Sequence, residues 1–172
     1  MKKILWLAVF SFILVVIMGC NLFTSLLSPA RKITGTWKST FPITLYYATD
    51  ECLNVDTITR VGEQKFNITW IIKQSYNLEP NTVDITVYME EAGDWNYYGS
   101  CELFTGAFWD SEEYYTGVIS STSLTLYDLY GDKAGDFTFT TDLMQGTLKD
   151  IYYNFYSFGW ESDVNAYKLI KQ

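Results

Sequence analysis

The chain carries 20 acidic side chains, 14 tyrosines, six tryptophans and three cysteines, and no histidine at all. Without histidine the commonest general base and metal ligand is gone, and Ser-His-Asp or Cys-His catalysis goes with it. Paired carboxylates are the remaining route to hydrolysis, and the adjacent pairs Glu90-Glu91 and Glu112-Glu113 are the ones to weigh. Neighbours on a strand point to opposite faces, so neither pair is built to share one substrate, and both sit near expected turns where water takes them. Asp128, Asp132 and Asp136 recur every four residues around Gly131 and Gly135. They lack the closing glutamate of a calcium loop, so a polar hairpin turn is expected there. No Gly-rich phosphate loop is present. The chemistry left over predicts a protein that binds rather than catalyses, with no cofactor and no metal.

The cysteines differ in kind. Met1-Lys2-Lys3, an apolar stretch from Ile4 to Met18, then Gly19 and Cys20 are the three parts of a secretory signal peptide. The stretch is shorter than the roughly 20 apolar residues that cross a bilayer. Residues 1–19 are thus expected to be removed, and the chain to be exported. Loss of Lys2 and Lys3 leaves 10 basic against 20 acidic side chains. Such a balance disfavours nucleic acid, whose phosphates need clustered Lys and Arg. Export also places Cys52 and Cys101 where disulfides persist, so one bridge between them is expected, two free buried thiols being the alternative.

Ile17-Met18-Gly19-Cys20 resembles the bacterial lipobox. The resemblance implies a diacylglyceryl thioether on Cys20, cleavage before it and acylation of the new amino terminus, typically by palmitate. Several acyl chains anchor stably, at about 0.8 kcal/mol per buried methylene. Asn21 in place of aspartate favours the outer membrane if the cell is of the Gram-negative, enterobacterial kind. Residues 20–30 then form the lipidated tether and 31–172 one domain, held in the cell envelope.

Within that domain the apolar period is two. Phe66, Ile68, Trp70 and Ile72 alternate with polar residues, as do Val83, Ile85, Val87 and Met89. Similar strands are read at Tyr115-Gly117-Ile119, Leu124-Leu126, Phe137-Phe139, Leu148 to Tyr153 and Val164 to Ile170. Turns are read at 79–81, 91–94, 110–112, 120–121, 130–132 and 159–162. The rhythm predicts an all-β fold, an up-and-down antiparallel β-barrel of eight to ten strands that closes to remove its edges. A β-sandwich is the alternative, since Trp70 and Trp95 lie between Cys52 and Cys101.

Ile33-Thr34-Gly35-Thr36-Trp37-Lys38 looks like the first strand of lipocalins and of the bacterial lipocalin-like domain, and Ala166 to Lys171 like their last. The resemblance implies that Gly35 bends the backbone, that Trp37 plugs the closed end, and that Lys168 or Lys171, with Lys168 preferred, packs over the indole. The family's second motif is only echoed, by Thr141-Asp142-Leu143, and its arginine is missing, because Arg31 and Arg60 are the only arginines. The family further implies a small apolar or amphiphilic ligand in the lumen. Trp95, Tyr97, Tyr98 and Trp109, near turns at the expected mouth and close to Cys101, are the candidate ligand-binding rings. A protein-binding barrel, either a hydrolase inhibitor or an envelope-assembly component, is the other reading.

Overall fold

The structure, a computed structural model, describes residues 29–50, 58–75, 79–98, 111–153 and 157–172. Residues 1–19, Cys20, Cys52, Cys101 and Trp109 lie outside these, and so do the expectations about the signal peptide, lipidation and the disulfide. A short helix α1 (Pro29–Ile33) is followed by eleven strands: β1 (Gly35–Ser39), β2 (Ile43–Thr49), β3 (Thr59–Gln74), β4 (Thr82–Glu91), β5 (Asn96–Tyr97), β6 (Ser111–Ser120), β7 (Ser123–Tyr127), β8 (Lys133–Phe139), β9 (Leu143–Tyr153), β10 (Ser157–Ser162) and β11 (Tyr167–Lys171).

All pairings are antiparallel, and most join neighbours in sequence. The meander runs β2-β3-β4-β6-β7-β8-β9-β10, and β10 returns to β2 to close the ring. Two long strands change partners along their length. Thr59 to Phe66 of β3 pairs β2, whereas Thr69 to Ile72 pairs β1. Likewise β9 pairs β11 through Leu143 to Gly146 and β10 through Lys149 to Tyr153. In effect β1 and β2 share one position in the wall, and β10 and β11 another. The result is a closed, lipocalin-like barrel of eight strand positions, with β5 added at the rim of β3.

One face of each strand fills the lumen. Trp37, Leu45, Phe66, Trp70, Ile85, Leu126, Phe137, Met144, Tyr167 and Leu169 belong to a single buried cluster. At its centre Trp70, Phe137 and Tyr167 meet with ring centroids 4.9 to 5.9 Å apart, the edge-on and tilted geometry that aromatic quadrupoles favour. Glycines make room for these rings: a Cβ on Gly146 would stand 2.3 Å from the Phe137 ring.

The lower end is plugged as the first-strand motif implies. Trp37 is fully buried and its indole N–H donates to the Ile33 carbonyl at 2.7 Å, tying α1 across the barrel end. Gly35 has φ +127°, a conformation side chains rarely adopt. The basic residue over the indole is Lys171, with Nζ 5.5 Å from the ring and bonded to the Lys32 carbonyl at 2.9 Å. Lys168 does not fill this role, and parity is the reason. Tyr167 and Leu169 point inward, so Lys168 lies on the outer wall, while Lys171 falls in the inward phase and in register with Trp37.

Three local readings are corrected too. Residues 159–162 belong to β10 rather than a turn, because Gly159 serves close packing: a Cβ there would stand 2.0 Å from the Asp150 carbonyl oxygen. Ser111 and Glu112 open β6. Val164 is 81% exposed in the bend before β11, so the last strand starts at Tyr167. Strand β2 had not been singled out in the sequence.

Replacing Trp37 by alanine is expected to cost about 3 to 5 kcal/mol, as for a large core aromatic. Urea unfolding checks it, and a loss well under about 1 kcal/mol would remove the plug role.

Candidate functional site

Above the aromatic centre the lumen changes character. Cross-strand registers place Asp150 beside Trp160, Trp160 beside Tyr47, and Tyr47 beside Gly62. Direct partners share a face, so these residues form one inner ledge running from β9 through β10 and β2 to β3. Trp95, just before β5, lies over Gly62; a Cβ there would come within 2.3 Å of its ring. Its ring meets Tyr47 at 6.5 Å and Trp160 at 6.1 Å, while Trp160 also meets Phe66 at 5.7 Å and so joins ledge to core. Glycine at 62 is thus what allows the indole to approach the wall so closely.

Carboxylates line the other end of the ledge. The Tyr115 hydroxyl, on β6, donates to Asp150 Oδ2 at 2.6 Å. Strands β6 and β9 are not neighbours, so this bond spans the lumen and forms a polar layer between the filled core and the mouth. Glu113 stands two residues before Tyr115, in the same inward phase, and is half-buried. Burial pushes the Asp150 carboxyl above the ordinary range; the Tyr115 bond works against this and Asp128 adds to it. Burial, then the Asp150 charge, raises Glu113 as well. Burial and Asp150 likewise push the Tyr115 hydroxyl well up. Among the described residues neither Glu113 nor Asp150 has a Lys or Arg within 4.0 Å. Gln64, 3% exposed and on the inner face next to Phe66, donates from Nε2 to the Gly93 carbonyl at 3.3 Å; its Oε1 has no partner among the described residues.

The wall beside Asp150 is open. The β8–β9 ladder stops at Gly135 and Leu148, although β9 runs on to Tyr153. A cleft of about 490 Å³ lies there, lined by Asp128, Lys133, Lys149 and Asp150 among others. The Asp128–Asp136 segment is a hairpin turn: Asp128 Oδ1 accepts the amides of Tyr130 and Asp132 at 2.9 and 2.8 Å, and Asp136 pairs with Lys133 at 2.6 Å. No group of three acidic or sulfur side chains suited to a metal occurs among the described residues.

Of the rings singled out in the sequence, only Trp95 is seen on the ledge. Tyr97 forms β5 opposite Gly62. Tyr98 bonds through its hydroxyl to Glu63, partner of Tyr46 on the outer wall where Arg60 stacks 3.8 Å over that ring. Tyr47, Asp150 and Trp160 were missed and Glu113 was set aside as solvated, yet parity carried the signal. Asp150 continues the inward series Met144, Gly146, Leu148, and Glu113 begins the series Tyr115, Gly117, Ile119. The two members of the Glu112-Glu113 pair do part, Glu112 outward to accept the Tyr114 hydroxyl at 2.7 Å; Glu113, though, is inside the wall and not solvated at a turn.

No protein-family model, curated protein or solved structure matches the chain. The fold defines its class, a closed up-and-down β-barrel with a plugged lower end, and the ledge defines its candidate site.

A carboxylate whose folded pKa is raised favours the protonated form. It costs nothing below the unfolded pKa, and its cost grows as pH rises through the folded value. Replacing Asp150 by asparagine, which keeps an acceptor for Tyr115, is therefore expected to raise the unfolding midpoint at pH 7 and leave it nearly unchanged below about pH 4. Thermal melts at both pH values check it; equal shifts would show that the carboxylate is not strained by burial.

Proposed function

We propose that the chain is an exported, non-catalytic lipoprotein, anchored through Cys20, whose barrel binds a small amphiphilic molecule at its mouth. The carrying observation is the ledge. The half-buried indoles of Trp95 and Trp160 pack edge-on with the buried Tyr47 ring as one apolar surface, which ends in Asp150 with Glu113 nearby. The core below is filled by Trp70, Phe137 and Tyr167, so the ligand sits high, entering from the mouth or through the cleft beside β9. The charged groups there are the carboxylates of Asp150 and Glu113, which favours a ligand with an apolar body and a hydrogen-bond-donating, positively charged end.

A protein partner is the second reading, either a hydrolase or an envelope component. It is favoured by the filled lower lumen and by Leu129 and Tyr130, 78% and 79% exposed at the tip of the β7–β8 turn.

Native mass spectrometry of the protein purified from an exporting host, before and after solvent denaturation, tests the choice. A co-purified basic small molecule is expected, with occupancy falling at least about tenfold in Asp150→Asn, as for loss of a buried charge-assisted contact. An apo mass, combined with capture of one stoichiometric protein partner, would overturn the small-ligand reading.

A further inference from the structure

The two ends of the barrel differ in charge. Arg31 and Lys32 on α1, Lys38 on β1, Lys73 at the end of β3 and Lys168 on β11 are all exposed and surround the plugged end. None of them lies within 4.0 Å of a carboxylate among the described residues. Acidic groups at that end are few: Glu79, Asp84 and Asp142. The mouth is the reverse, with Arg60, Lys65, Lys133 and Lys149 set among most of the acidic side chains, Glu63, Glu91, Asp132 and Glu161 among them. The plugged end also bears a cleft of about 400 Å³ lined by Lys32, Ser121, Thr122, Phe139, Thr140 and Thr141, a cation and hydroxyls beside an aromatic ring. Outward on the same end, Leu143 and Ile170 face each other across β9 and β11, each 41% exposed.

Chain length fixes the same direction independently. Residues 21–28 separate Cys20 from α1, and at 3.3–3.6 Å each they reach at most about 29 Å. On its tallest side the wall is the 16 residues of β3, about 40 Å at the usual rise and tilt, whereas β7 and β8 span five and seven residues. A lipid on Cys20 therefore cannot stay in a bilayer that touches the β3 rim. We propose that the plugged end is the membrane-facing surface, its basic collar seated on anionic phospholipid headgroups, so that the mouth and its ledge open away from the bilayer. This rests on the reading of Cys20 as the lipid anchor. An anionic leaflet attracts such a collar, and bulk salt weakens the attraction.

The test uses the full chain, produced in an exporting bacterium, with the mass of the intact product reporting acylation of Cys20. It is reconstituted into phosphatidylcholine vesicles with about 30% phosphatidylglycerol, enough for a strongly negative surface. A fluorophore is carried at position 81 in one preparation, just before β4, and at position 91 in another, the end of β4, and headgroup-nitroxide lipid is the quencher. Quenching at 81 is expected to exceed that at 91 by at least about threefold, and the charge reversals Lys32→Glu, Lys73→Glu and Lys168→Glu together to shrink the difference. Equal quenching, or stronger quenching at 91, would overturn the proposal. If the mass shows no lipid, the anchoring reading fails by itself, and the same vesicles then test the collar alone. Binding to phosphatidylglycerol vesicles but not to pure phosphatidylcholine, lost in the triple variant, would keep the membrane-facing surface; no charge-dependent binding would overturn it.

Discussion

Closure of the sheet on itself is the constraint from which the rest follows. Once β10 pairs with β2 and β8 with β9, every inward residue on eight strand positions shares one lumen. Side chains a hundred residues apart must then fit a common volume: Trp70 and Tyr167 touch, and Gly146 yields space to Phe137. The same closure removes most free ladder edges among the described residues; where β9 outruns β8 it leaves a cleft in the wall.

The lumen divides into layers that pass from structural to functional as they rise. Trp37, hydrogen-bonded to Ile33 and covered by Lys171, seals the bottom. Interlocked aromatics fill the middle, where an apolar filling is the inexpensive way to pack a narrow barrel. The carboxylates come in at the Tyr115–Asp150 bond, and there burial already lifts both pKa values. Carboxylates in an inward phase cost stability wherever burial deprives them of water. Their placement next to flat rings is the feature of the fold least explained by packing alone.

Charge follows the same axis. Basic side chains gather round the plug and acidic ones round the mouth, so the barrel has a polarity that its symmetric topology does not require. Outside the mouth, Arg60 joins Tyr46, Glu161 and Asp163, linking β2, β3 and the β10–β11 bend; there the Arg60 bond holds the Asp163 carboxyl low. That network is exposed and worth little in stability.

Alternation alone determined that the domain is all-β and that Phe66 to Ile72 and Val83 to Met89 are half-buried strands, while the resemblance of Ile33 to Lys38 to a lipocalin first strand put Gly35 and Trp37 at the opening of the barrel. These are local properties, because period two and a positive φ are written in neighbouring residues. The missing histidine likewise removed whole reaction classes before any fold was known. Partners across the lumen were decided by the tertiary structure only. Lys171 rather than Lys168 covers the indole because strand register puts it there, and Gly159 is a packing glycine because β9 passes behind it. The meeting of Tyr115 with Asp150, and of Trp95 with Tyr47 and Trp160, depends on how far the sheet curls before it closes. No stretch of sequence carries that quantity, since it is set by the register of all the ladders at once.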